Sequence, residues 1–172
     1  MNIGGKIIDY EYLENGEFTI SQWIVFSTKI CDIEDDDEFL KWKKQMKFTF
    51  EVFFDIEDLS ECYFYMDENG NNIAGIDFKR INDALIKWIT NWNSLSEGQS
   101  KLTKEEIMAG ADKLGSKLGP ELIIAELSSK YQIRPNEIRE WECNECFLVL
   151  KYMKLKDDIE RKYSNIITNK HI

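Results

Sequence analysis

Residues 122–141, LIIAELSSKYQIRPNEIREW, have the pattern of two helices joined by a tight turn. Their apolar positions have the spacing that holds two crossed helices together; these are Leu127, Tyr131, Ile133, Ile138 and Trp141. Ser128 is small and lets the helices approach closely, while Pro135 stands at the start of the second helix, where no backbone donor is needed. The stretch therefore predicts a helix-turn-helix unit whose first helix ends near Tyr131.

A helix-turn-helix often binds DNA by placing its second helix in the major groove. In that interpretation Arg134, Asn136 and Arg139 read bases or contact phosphate. Lys130 would add a phosphate contact. Four carboxylates lie on the same predicted helix: Glu137, Glu140, Glu142 and Glu145. Because phosphate contacts dominate affinity for DNA, such carboxylates disfavour DNA binding, and the alternative is a unit that only packs two helices together.

Two family resemblances start from these residues. The sequence pattern IAELSSKYQI-x-PN-x-I-x-x-W, within residues 122–141, resembles the helix-turn-helix of insertion-sequence transposases, which implies DNA binding. In that family basic residues usually follow the Trp, whereas Glu142-Cys143-Asn144-Glu145 follow here.

The C-terminal half also resembles phage tail-assembly chaperones and related small phage assembly proteins. The resemblance rests on Pro135, Glu137, Ile138, Trp141, Glu145, Phe147 and Tyr152, followed by KLKDDIERKY at 154–163. It implies a non-enzymatic assembly factor or virion structural component that binds other phage proteins. In such a protein the helix-turn-helix would be a packing unit only.

The net charge of −10 is concentrated in the first hundred residues, which hold nine Lys or Arg against twenty Asp or Glu. An acidic surface repels nucleic acid and anionic lipid, and it favours basic protein partners. It could also imitate nucleic acid and inhibit a protein that binds it. Five Trp, seven Tyr and ten Phe are a heavy aromatic load, many of which must be buried, and any surplus on the surface would suit a protein-binding face.

The N-terminal part predicts a mixture of hairpins and helices. Asn15-Gly16 suggests a β-hairpin between KIIDYEYL and FTI, because a tight hairpin turn needs positive φ angles. Thr19 then caps a helix with four inward apolar residues: Trp23, Ile24, Phe26 and Ile30. The acidic run 32–38 opens a second helix, EFLKWKKQM. The alternation in KFTFEVFFDI, residues 47–56, predicts a strand, with a continuing helix as the rival interpretation.

Further along, a second hairpin is expected around Asn69-Gly70. Asp77 caps the clearest amphipathic helix, whose apolar stripe is Phe78, Ile81, Leu85, Trp88 and Trp92. The polar stretch 93–101 indicates a domain boundary. A capping box at Thr103 and Glu106 begins a helix that reaches about Leu118, and the last helix runs from Pro135 to about Tyr163.

These patterns together predict an α+β fold, with N-terminal hairpins and helices followed by a mainly α-helical domain that contains the helix-turn-helix-like unit. The expected organisation is an acidic α+β domain at 1–93, a linker at 94–102, a helical domain at 103–165 and a frayed tail at 166–172.

Candidate chemistry is sparse. Cys143 and Cys146 form a CxxC pair next to an apolar run, but Cys31 and Cys62 are far away in sequence and His171 is the sole histidine. A zinc site needs about four such ligands, so no metal or cofactor is expected and core packing is the preferred interpretation. No nucleophile–histidine pair or phosphate loop is present, so no enzyme and no catalytic residue is predicted.

The start of the chain has no secretory pattern and no run is long enough to span a membrane, so we expect a reducing setting, the cytoplasm or a virion made there, and no membrane partner. The favoured function is a non-enzymatic protein-interaction or assembly protein that binds other proteins, including viral assembly components or itself. Trp88 and Trp92 are candidate anchors for a partner if exposed, and core residues if buried. The alternatives are a helix-turn-helix DNA-binding protein and an acidic inhibitor that imitates nucleic acid.

Overall fold

The structure, a computed structural model, describes residues 2–3, 6–56, 76–96 and 121–169. Its strands are β1 (Asn2–Ile3) and β2 (Lys6–Ile7), which pair antiparallel with Asn2 opposite Ile7. Its helices are α1 (Tyr10–Asn15), α2 (Ile20–Cys31), α3 (Glu38–Phe54), α4 (Phe78–Ser96), α5 (Glu121–Tyr131), α6 (Pro135–Arg139) and α7 (Cys143–Asn169). The predicted α+β class is therefore wrong, since the described chain is predominantly helical.

The first predicted hairpin is wrong because its turn glycine ends a helix instead. Asp9 caps α1 by accepting hydrogen bonds from the N–H groups of Glu11 and Tyr12. Gly16 follows α1 with φ of 73°, the left-handed conformation of a helix C-cap. A side chain at this position would collide with the Trp88 indole. A positive φ serves a hairpin and a helix end equally, so the Asn15-Gly16 pair could not distinguish them.

The predicted strand at 47–56 is also wrong, because α3 continues through it and the rival interpretation holds. Phe50, Phe53 and Phe54 are all buried, which a helical face allows and a simple alternation does not. Thr49 is buried as well, and its hydroxyl donates to the Gln45 carbonyl at 2.8 Å. The helix ends at Phe54, and Asp55 caps it in the left-handed conformation with φ of 53°.

The predicted helix starts are confirmed where the capping residue acts locally. Thr19 and Gln22 form a capping box at the start of α2. Asp37 caps α3 through the N–H groups at positions 39 and 40. The Asp77 carboxylate accepts from the Arg80 N–H at 2.9 Å at the start of α4. α5 ends at Tyr131, as the turn pattern predicts.

The last predicted helix is two helices, because α6 stops at Arg139 and α7 begins at Cys143. Backbone groups between them bond to the segment 16–20 instead of continuing the helix. The Ile20 N–H donates to the Trp141 carbonyl at 2.9 Å, and the Cys143 N–H donates to the Phe18 carbonyl at 2.7 Å. The predicted tail at 166–172 is helical as far as Asn169.

The core is centred on packed aromatic rings. Phe18 lies 4.7 Å from Phe53 and 5.9 Å from Trp88, measured between ring centroids. Arg80 pairs with Glu14 and so joins α4 to α1. Aromatic rings of this kind bury more apolar area than any other side chains and so dominate core stability.

Side chains from both predicted domains belong to this one core cluster. The C-terminal part contributes Ile124, Leu127, Ile138, Cys143, Cys146 and Phe147. α4 also continues to Ser96, into the predicted linker at 94–102. The division into 1–93 and 103–165 stays a prediction, because 97–120 lie outside the described residues. The second hairpin around Asn69-Gly70 and the helix from Thr103 to Leu118 lie outside them too.

Candidate protein-interaction surface

α7 has an inner face that packs on the body of the protein. Cys143, Cys146 and Phe147 are buried there. The Phe147 ring lies 6.1 Å from both the Trp88 and the Trp92 rings. Further along, Lys154 donates to the Ser94 carbonyl at 2.7 Å and holds α7 against the end of α4.

Beyond this contact most residues of α7 are exposed. All residues from 155 to 168 are exposed except Asp158, which is half-buried. Those fourteen residues correspond to about 20 Å of helix at ~1.5 Å per residue. In the described chain, the second half of the longest helix therefore has little of the protein packed on it.

A row of large apolar side chains, here called the outward stripe, lies on the side of α7 opposite its inner face. It consists of Leu148, Tyr152, Leu155, Ile159, Tyr163 and Ile166. Their exposed fractions run from 54% at Ile166 to 66% at Tyr152, Ile159 and Tyr163. Because they follow each other at intervals of three or four residues, they share one face of the helix.

Scattered exposed apolar residues are ordinary, but a contiguous row is not. An apolar patch on a monomer's surface marks a binding site for protein, membrane or ligand when it is large and rimmed by polar residues. The outward stripe is bordered by charged, exposed side chains, among them Lys151, Lys156 and Lys162. It therefore has the composition of an interface: apolar along its centre and charged at its rim.

Sequence reasoning missed this surface, although the signal was present in the printed chain. The apolar residues of α7 recur at helical spacing on two faces, and two faces are more than one core contact needs. The last residue of the stripe, Ile166, fell within the tail that was predicted to be frayed at 166–172.

A groove of about 380 Å³ lies between α4, α5 and α7. Its apolar walls are Trp92, Leu95, Ile123, Leu150 and Met153. Glu126 stands at its edge, and partial burial raises the pKa of that carboxyl above its ordinary value. Lys154, Asp157 and Arg161 complete the lining. The groove adjoins the inner face of α7, so it is separate from the outward stripe.

The two predicted anchor tryptophans lie inside the fold. Trp88 is 2% exposed, and its indole N–H donates to the Leu13 carbonyl at 2.9 Å. Trp92 is half-buried; its ring stacks on Trp23 at 6.1 Å and its N–H donates to the Cys143 sulfur at 3.3 Å. The exposure that would make them partner anchors is absent at Trp88 and small at Trp92, so this stripe of α4 packs in the core.

The predicted helix-turn-helix residues form a packed unit. Leu127 and Ile138 are buried, and the Tyr131 and Trp141 rings lie 6.1 Å apart. Ser128 donates its hydroxyl proton to the Ile133 carbonyl at 2.7 Å, which fixes the turn. The second helix of the unit, α6, has five residues.

The candidate DNA-contacting residues share their surface with carboxylates. Lys130, Arg134 and Asn136 are exposed. Arg139 is half-buried and paired with Glu121 at 2.5 Å, so its charge is already compensated. Glu137 and Glu140, on the same short helix and just after it, are exposed beside them. Among the residues that the structure describes here, positive and negative groups alternate and form no basic ridge.

The CxxC thiols pack in the core. Cys143 and Cys146 are both fully buried. Burial raises the pKa of Cys146 to about 12 and raises the pKa of Cys143 well above its ordinary value. Thiols held in this neutral form are poor nucleophiles. Within the part of the chain that the structure describes, no three His, Cys, Asp or Glu side chains are grouped to hold a metal ion.

None of the helices among the described residues is both long and apolar enough to cross a membrane. Comparison of the chain with protein-family models, with curated proteins and with solved structures found no match.

Proposed function

We propose that this chain is a non-enzymatic protein-interaction or assembly protein, and that it binds its partner through the outward stripe of α7. The observation that carries the proposal is the row of six large apolar side chains, each more than half exposed, on a helix that extends beyond the core.

Burying this stripe would supply the driving force for association. Removing apolar surface from water contributes about 25 cal/mol per Å², and one large side chain supplies roughly 1.5–3 kcal/mol. Because the stripe side chains are 54–66% exposed, each can supply only somewhat more than half of that value. Six of them together give a gain of the same order as the cost of immobilising two molecules. An amphipathic helix that offers a row of this kind binds a groove or another helix.

The setting of viral assembly is the finer part of the proposal. It is supported by the resemblance of the C-terminal half to phage tail-assembly chaperones, in which Phe147 and Tyr152 take part. Tyr152 belongs to the outward stripe and Phe147 packs on the inner face, so the resembling residues divide between the two faces of α7. DNA binding is less well supported, because Arg139 is paired with Glu121 and α6 is short.

Site-specific photocrosslinking tests the proposal. A photoreactive residue replaces Ile159, which is in the stripe, or Glu160, which is the next residue and points about 100° away around the helix. Both positions are about two-thirds exposed. We expect irradiation in cells that produce the protein from its own genome to give a discrete protein adduct from position 159 and none from position 160. Absence of any adduct from 159, 155 and 152 would overturn the proposal.

A further inference from the structure

We infer that the partner on the outward stripe is a second copy of this chain, whose α7 lies antiparallel to the first. This inference rests on the proposed function and adds the identity and orientation of the partner. It follows from the positions of the charged residues that interrupt and border the stripe.

Seven exposed positions of α7 follow a strict repeat of three and four residues: Glu145, Leu148, Tyr152, Leu155, Ile159, Lys162 and Ile166. This is the seam of a two-helix coiled coil, in which every such residue faces the neighbouring helix. Five of the seven are apolar, and the two charged ones carry opposite signs. Tyr163 widens the stripe beside Lys162.

The two charged seam positions select the direction of the neighbouring helix. In a parallel, in-register pair each Glu145 would meet the other Glu145, and each Lys162 the other Lys162. In an antiparallel pair that sets Tyr152 opposite the second copy's Leu155, Leu148 meets Ile159. Continuing the same register outward brings Glu145 opposite Lys162 at both ends of the seam. The like charges that face each other disfavour the parallel pair, and the opposite charges favour the antiparallel pair.

The charged residues that flank the seam also favour the antiparallel pair. In a parallel pair Lys151 would lie beside Lys156 of the second copy, and the two ammonium groups would repel each other. In the antiparallel register above, Lys151 lies beside Asp158 of the second copy, and this pair also occurs twice. Asp158 accepts a hydrogen bond from Arg161 at its Oδ1 atom at 2.6 Å, and its second carboxylate oxygen can accept another.

Such a pair is symmetric, because every contact occurs twice around a two-fold axis. Symmetric pairs of identical surfaces are the commonest protein oligomers. The same stripe therefore serves as both halves of the interface, and the chain needs no separate groove to receive it. The face of α7 that packs on the body is not used.

Charge reversal tests the orientation. Sedimentation velocity over a range of concentrations should give a species of twice 20.3 kDa for the unaltered chain. Glu145→Lys or Lys162→Glu alone should weaken the dimer by roughly tenfold or more, since each change creates two like-charge contacts. The two changes together should restore it, because Lys at 145 then meets Glu at 162. Glu160→Lys, on the same helix away from the seam, is the matched control and should leave the dimer unchanged.

Three results would overturn the inference: a monomer at all concentrations, single reversals that leave the dimer intact, or a double reversal that is no tighter than the single ones. Thermal melting of each variant at dilute concentration shows whether its monomer is folded. If a variant fails to fold, Leu155→Lys and Ile159→Lys provide the second route to a monomer. A monomeric chain that still crosslinks from position 159 to a different protein would contradict self-pairing but would support the proposed function.

Discussion

α4 and α7 each carry a row of large apolar side chains at intervals of three and four residues. The row on α4 is buried, whereas the row on α7 is exposed. On α4, Phe78, Ile81, Leu85 and Trp88 are at most 5% exposed because α1, α3 and α7 pack over them. On α7, the outward stripe is more than half exposed at every position. Helical spacing thus predicts that a face is apolar, whereas only the three-dimensional arrangement decides whether the chain itself covers that face.

The largest expected effect separates the two rows directly. Trp88→Ala should lower the free energy of unfolding by about 3–5 kcal/mol, because it opens a cavity and leaves the Leu13 carbonyl without its donor. Leu155→Ala should change the stability of the monomer by less than about 0.5 kcal/mol, since Leu155 is 55% exposed. Urea unfolding at dilute concentration measures both. Equal losses would mean that α7 is covered by its own chain.

Gly16 supports the buried row, since it lies against Trp88. Gly16→Ala should destabilise the fold by about 1–3 kcal/mol, because a methyl group meets the indole and the left-handed backbone strains any other residue. The temperature of unfolding measures the loss. Asn15→Ala is the neighbouring control, since Asn15 is exposed and has no positive φ, and it should have a small effect. A neutral Gly16→Ala would contradict the close approach of α1 and α4.

A smaller effect is expected at the start of α2. Thr19→Ala should cost about 1 kcal/mol, because it removes the acceptor for the Gln22 N–H at 3.2 Å. Thr19→Ser keeps that acceptor and should retain most of the stability. Chemical denaturation compares the two variants. Equal losses in both would show that the Thr19 methyl group matters and the cap does not.

The pH dependence of stability should reflect the buried thiols. Folding raises the pKa of both thiols from an ordinary value of about 9, to about 12 for Cys146, because burial disfavours the charged thiolate. The contribution of the buried neutral thiols to the free energy of unfolding is fully present below pH 9. It should be lost between about pH 9 and pH 12, because the thiols of the unfolded chain ionise there. Melting temperatures of the native chain and of Cys146→Ala should therefore converge as the pH rises. Parallel curves would contradict this.

Local features of the sequence predicted their structures well. Thr19 and Asp77 cap helices as predicted, and the acidic run expected to open α3 supplies its cap, Asp37, because a side-chain oxygen needs only the two or three residues that follow it. The Ser128 turn and the end of α5 at Tyr131 followed from equally local patterns.

Features that depend on distant parts of the chain were not predictable in the same way. The break before Cys143 exists because its N–H bonds to the Phe18 carbonyl, 125 positions away in sequence, and no local pattern encodes that contact. Alternating apolar residues at 47–56 fitted a strand and a helix equally, and packing of Phe53 in the core decided between them. The outward stripe could have been predicted as an apolar face, but its exposure could not.

Thiol labelling tests most directly whether another protein chain covers the outward stripe. Ile159→Cys and Glu160→Cys are compared in a chain whose native Cys31 and Cys62 are replaced by serine, at dilute and at high protein concentration and in an extract of the native source. We expect equal labelling rates at both positions when the protein is dilute. We expect strong protection of position 159, but not of 160, when the protein is concentrated or in the extract. Equal, rapid labelling of both positions under every condition would contradict the burial of the stripe by another chain.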